Sequence, residues 1–205
     1  MDFTAIDFET ATSSFTSACS LGLCVVENGR IEERRELLIK PDPFVFNKYN
    51  IKIHGITPET VRHAPTFDEY WPMLEPYIKN RMVVAHNAPF DVRVLCETLG
   101  HYGITAPDFD YMCTVKLSQK AYPELESHRL NVLSDALGVN FSHHHANDDA
   151  YACACAFLRM AYDYSLVSFE EMEECFEVNR GKIRRGAPIK KKKQHRRPAA
   201  AKRAK

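Results

Sequence analysis

The sequence predicts an α/β domain: a mixed sheet of about five strands, the first three antiparallel, flanked by helices. Three observations predict it. The first forty residues hold three strand-like segments, two of them joined at Asn28-Gly29, the strongest short hairpin signal in the chain. From Thr66 onward, stretches with helical periodicity alternate with short apolar strands and then give way to helices. Finally, 205 residues with 45% hydrophobic content suit one compact domain with a substantial core.

In chain order, Phe3, Thr4, Ala5 and Ile6 open a strand apolar enough to lie inside a sheet. A small polar loop after Thr10 leads to a second strand over Cys19 to Glu27 and a third from Arg30 to Ile39, whose outward positions are charged. Pro41 and Pro43 end the meander, and residues 44–65 read as an irregular connection. Thr66 and Glu69 form a capping-box pattern ahead of a helix through Trp71, Leu74 and Ile78. Met82 to Ala85 is a short apolar strand. It runs into a helix with Asn87 as N-cap and Pro89 in its first turn, continuing to Gly100. Phe109 to Thr114 is expected to be the last strand, followed by a helix from about Val115. Leu130 to Leu137 forms another helix, stopped at Gly138, and residues 146–164 a long one. Ser168 and Glu171 cap a final helix ending near Val178. The domain is expected to span residues 1–178, followed by a basic tail over 179–205.

Composition narrows the setting. No apolar run is long enough to span a membrane, and the chain opens on a strand rather than a cleavable leader. The seven cysteines are odd in number and form no C-x-x-C pair, which points to reduced thiols and a cytoplasmic location. Net charge is zero but unevenly spread. Residues 181–205 hold 12 of the 27 Lys and Arg and no Asp or Glu, leaving residues 1–180 with a net of −12. The tail is low in complexity and too polar to bury a core. It reads either as a solubilising terminus or as an electrostatic arm for nucleic acid.

The chemistry-bearing residues are acids. Asp7 and Glu9 stand two apart on the first strand and therefore project from one face. Carboxylates so crowded repel unless a cation lies between them, and a divalent metal is the usual answer. An exposed D-x-E strand end is the alternative. Asp91 falls in the first turn of the helix after the Met82 strand, and Asp149 in the first turn of the helix after H-H-H-A-N-D-D-A. Either could be an acid favoured by the helix dipole, yet carboxylates at such junctions can also converge over the edge of a sheet. A zinc site made from His143, His144 and His145 is disfavoured, because adjacent side chains cannot all face one ion.

The motifs D-F-E-T (Asp7 to Thr10), N-x-x-F-D (Asn87 to Asp91) and H-x-A-x-x-D-A (His144 to Ala150) occur in that order. Together they resemble the three motifs of the DnaQ-like exonucleases, the DEDDh branch of the ribonuclease-H-like fold, of which the proofreading enzymes are members. The I-H-G-I-T stretch from Ile53 is similar to a connecting segment of the same family, and the likeness covers roughly residues 1–165. The resemblance implies that Asp7, Glu9, Asp91 and Asp149 hold two Mg2+ ions, with Mn2+ able to substitute. It implies His144 as general base, since only that histidine leaves Ala146 and Asp149 in register. It further implies that Thr10, His54 and Gly55 seat the terminal nucleotide, although His54 can also be read as a plain loop histidine. The implied activity is metal-dependent 3′→5′ hydrolysis of single-stranded or frayed DNA ends, releasing nucleoside monophosphates, with the tail on nucleic acid and a DNA polymerase subunit as a partner. RNA 3′ ends are the alternative substrate, since nothing in the sequence decides on the 2′-hydroxyl. A catalytically quiet nucleic-acid- or polymerase-binding module is the rival of another class, and it has no need of four acids and a histidine.

Overall fold

The computed structural model describes residues 1–139 and 145–185. His143, His144 and residues 186–205 of the basic tail lie outside the described residues. The chain forms a six-stranded sheet in the order β3-β2-β1-β4-β5-β6. β1 (Phe3–Thr10), β2 (Ala18–Glu27) and β3 (Arg30–Leu38) are the antiparallel meander. Asn28 and Gly29 both take positive φ, 52° and 73°, as a tight two-residue hairpin turn requires. β4 (Met82–Ala85) and β5 (Phe109–Cys113) add to β1 in parallel.

The segment expected to be irregular contains two short helices, α1 (Lys48–His54) and α2 (Pro58–Val61). α1 is capped by the Asn47 side chain, which accepts from the Asn50 N–H at 2.7 Å, and is closed by Gly55 at φ 74°. α3 (Phe67–Ile78) opens on the expected capping box, with the Thr66 N–H donating to Glu69 at 2.8 Å. α4 (Pro89–His101) carries Pro89 in its first turn, but its N-cap is Ala88. Asn87 is not a cap; it takes a left-handed φ of 68°, a conformation asparagine tolerates, and turns the chain from β4 into the helix. α5 (Thr114–Ala121), α6 (Leu130–Leu137), α7 (Ala146–Asp163) and α8 (Phe169–Phe176) complete the helices among the described residues.

β5 is not the last strand. β6 (Gly181–Ile183) pairs antiparallel with it, so residues 181–185, expected in the tail, belong to the sheet edge. Three contacts pin this strand. The Tyr111 ring fills the space over Gly181, Arg180 pairs with Glu170 and Glu173 at 2.6 Å each, and Arg184 pairs with Asp110 at 2.6 Å.

The sheet divides the core. Ile6, Phe8, Leu21, Leu23 and Val83 pack against α3 and α4. Phe3, Ala5, Cys24, Val84 and Met112 pack against α5, α7 and α8. All seven cysteines are unbridged. Among the described residues no helix is long and apolar enough to cross a membrane.

Candidate active site

Alternation along β1 sets the first two acids. Phe3 and Ala5 face α7, so Asp7 and Glu9 continue that face beyond the packed core, while Ile6 and Phe8 face α4. The first turn of α7 brings Asp149 to the same place. One carboxylate oxygen from each of Asp7, Glu9 and Asp149 lies within 4.8 Å of the others.

Asp91 enters from the start of α4 and is buried. Its Oδ1 accepts the Phe8 N–H at 3.0 Å, which ties the helix start to the centre of β1. Its Oδ2 is buried with no hydrogen-bond partner among the described residues. A buried carboxylate oxygen left in this state is costly, and a cation among the acids would satisfy it.

Electrostatics agree with that reading. Burial, reinforced by the charges of Asp91, Asp149 and Glu9, holds the Asp7 carboxyl well above its ordinary range. Burial, with Asp149 and Glu36 nearby, pushes Glu9 up to about 8. Asp91 is likewise raised to about 8, mainly by burial, against the opposing pull of the Phe8 N–H. Hard oxygen donors pressed together and reluctant to ionise alone are a donor set suited to Mg2+ or Mn2+.

Two residues outside the motifs place α7. Gly22 pairs with Asp7 across the sheet, and a Cβ there would lie 1.7 Å from the Ala146 carbonyl oxygen. Only a glycine lets the helix start rest on β2 this closely. From β3, Arg34 donates to Asp148 at 2.6 Å and lies 3.9 Å over the Tyr151 ring, so it grips the same first turn from the side. A glycine inside a strand pattern is a sequence signal for close approach and could have found Gly22. Arg34 has no such signal, because it sits in a run of alternating charges on β3.

Beside Glu9 a cleft of about 430 Å3 opens, bordered by Thr10, Thr12, Phe15, Asn50, His54 and Phe90 among others. That volume lies within the range of small-molecule sites. His54 is buried and both of its ring nitrogens serve the chain: Nδ1 accepts from the Ile56 N–H at 3.0 Å, and Nε2 lies 3.2 Å from the Thr10 carbonyl. Gly55 spends its N–H on the Ile51 carbonyl at 2.8 Å, closing α1. These two residues therefore brace the wall of the cleft. Asn50, which the motifs do not include, fixes the same wall by donating to the Thr10 carbonyl at 2.6 Å and to the Thr12 carbonyl at 3.3 Å. His145 is the N-cap of α7, and its carbonyl accepts from the N–H groups of Asp148 and Asp149.

Acids from β1 and the first turn of α7 meet within 4.8 Å with Asp91 buried beside them, and the family model described as an exonuclease matches residues 4–157. The chain belongs to this exonuclease family. In sequence it is similar to the PolC-type DNA polymerase III of Caldanaerobacter subterraneus, 27% identical over 93% of this chain and 13% of the polymerase. The corresponding polymerase of Clostridium perfringens is 31% identical over 84% of this chain and 12% of its own length. The chain thus spans about one-eighth of the curated relatives it matches. Among solved structures, exonuclease X in complex with 5′-overhanging duplex DNA superposes with a TM-score of 0.67 at 24% identity, covering 85% of this chain and 99% of that one. The nuclease domain of 3′hExo, a DEDDh family member bound to rAMP, superposes at 0.66 with 19% identity, covering 79% and 92%. Family and fold together are those of an exonuclease domain.

Proposed function

We propose that this exonuclease removes nucleoside monophosphates from the 3′ ends of single-stranded or frayed DNA, using two divalent ions held by Asp7, Glu9, Asp91 and Asp149. The carrying observation is the meeting of Asp7, Glu9 and Asp149 oxygens within 4.8 Å, beside a buried Asp91 oxygen that has no hydrogen-bond partner among the described residues. Bound ions of this kind lower the pKa of an attacking water and neutralise charge on the leaving oxygen.

The chain's own residues do the rest. The Phe8 N–H holds one Asp91 oxygen so that the other is free to ligate, and the α7 first turn aims Asp149 at β1. His144, one residue before the helix cap, accepts the proton of the attacking water. The terminal nucleotide enters the cleft beside Glu9, with Thr10 and the backbone braced by His54, Gly55 and Asn50 as its wall. DNA is favoured over RNA because the curated relatives are DNA polymerases, and association of this chain with a polymerase is the matching proposal for a partner.

The test is digestion of matched DNA and RNA single strands, each labelled at the 5′ end, in Mg2+ and in chelator. Stepwise shortening of the DNA, faster than that of the RNA and abolished reversibly by chelator, is expected. Faster shortening of the RNA overturns the substrate assignment, and internal cuts overturn the exonuclease mode.

A further inference from the structure

Half of the eight large apolar side chains exposed among the described residues fall in one ten-residue stretch. Phe44 is 39% exposed, Val45 54%, Tyr49 74% and Ile53 40%. The stretch from Phe44 to Ile53 contains no acid, although residues 1–180 carry a net of −12. It does contain Lys48 and Lys52, both exposed and without an ion-pair partner among the described residues.

The placement is specific. Tyr49 and Ile53, one helical turn apart on α1, border the outer part of the cleft whose inner end is Glu9. Lys48 and Lys52 have the same spacing one position earlier, so a stripe of positive charge runs along the apolar one. An exposed tyrosine and isoleucine beside two cations, on the rim of a cleft that Glu9 also borders, have a definite complement: unstacked bases on a phosphate backbone.

We propose that the exposed face of α1, with Tyr49, Ile53 and the lysines beside them, forms a stacking platform for the unpaired nucleotides that follow the terminal one. The inference rests on the exonuclease reading of the neighbouring acids and extends it from the scissile residue to the strand behind it. Bases in a duplex hide their faces from such a surface, so the platform selects single-stranded or frayed ends. An α1 that only roofed the terminal nucleotide would not need a tyrosine left three-quarters in solvent.

The test compares the length dependence of KM for the full chain and for Tyr49→Ala, using the p-nitrophenyl ester of thymidine 5′-monophosphate and oligothymidylates of two, four and eight nucleotides. Stacking of one base on an aromatic ring contributes about 5- to 150-fold in affinity. KM for the unaltered protein should therefore fall as the strand lengthens. In Tyr49→Ala most of that gain should disappear, with kcat on the octamer retained and Tyr49→Phe restoring the original behaviour. Lys48→Ala and Lys52→Ala should weaken octamer binding at low salt and lose their effect at high salt. An unaltered length dependence in Tyr49→Ala overturns the platform and leaves the lip to a protein partner. An equal loss on the ester and on every oligomer overturns it too, because Tyr49 would then act on the terminal nucleotide or on the fold. Failure of the unaltered protein to hydrolyse any of these substrates overturns the exonuclease reading itself, and the platform with it.

Discussion

Gly22→Ala adds a single methyl group at a position no ligand touches, yet it is expected to disable the site. The added carbon would stand 1.7 Å from the Ala146 carbonyl oxygen and 2.0 Å from its carbon, where real contacts are not found under 3.0 Å. Backbone is the obstacle on the helix side, so no side chain can swing away. The start of α7 must lift off β2, and Asp149, three residues into that helix, lifts with it. Overpacking of this kind costs about 1–3 kcal/mol. For a domain of this size that lowers the melting temperature by about 2–12 °C. The effect on chemistry should be larger, since displacing a catalytic group by about 1 Å can cost about 100-fold. Turnover at saturating Mg2+, read beside circular dichroism and a thermal melt, separates the two effects. A folded Gly22→Ala protein with near-normal turnover would refute the claim that this contact sets the position of Asp149.

Four shorter predictions follow from the same geometry. Because the folded carboxyls of Asp7, Glu9 and Asp91 bind protons more tightly than their unfolded counterparts, metal-free stability should fall as pH rises from about 4 to about 8; the check is melting in chelator across that range, with the gain from added Mg2+ largest near pH 8. Arg34→Ala loosens the start of α7 through a part-exposed ion pair and a ring contact, each contributing about 0.5–1 kcal/mol, so the half-saturating Mg2+ concentration should rise by up to about thirtyfold in a metal titration of activity. His144→Ala should lower turnover by about 10²- to 10⁴-fold while metal binding persists, and His145→Ala should be mild; the reverse order in a side-by-side assay would move the base by one residue. Deleting residues 186–205 removes nine Lys and Arg and spares β6; if half of those charges engage a long single strand, the log–log salt slope of binding should flatten by about three, and coincident slopes would reassign the tail.

Much of the site was legible because its acids obey local rules. Asp7 and Glu9 share a face by the two-residue period of a strand, and Asp91 and Asp149 occupy first helical turns that can be read from spacing. Their convergence was not legible from spacing alone, since it depends on β1 lying between β2 and β4 and on a helix that crosses the sheet at Gly22. β6 escaped notice because a three-residue strand has no periodicity, and because Lys182, Arg184 and Arg185 share the composition of the tail that follows. α1 was hidden for a related reason: its Asn47 cap and Gly55 stop enclose only seven residues, with prolines close on both sides. His54 stands where the motif puts it, on the wall of the cleft. Spacing alone did not show that its ring nitrogens also meet the Ile56 N–H and the Thr10 carbonyl, which fix that wall.

The central claim is that the converging acids are a two-ion site, and calorimetric titration of Mn2+ into the metal-free protein tests it most directly. The full chain is expected to take up two ions, and Asp7→Asn should lose most of that affinity while melting no lower in chelator, because one of the mutually repelling carboxyls is gone. No uptake by the full chain, or uptake unchanged by Asp7→Asn, would contradict it.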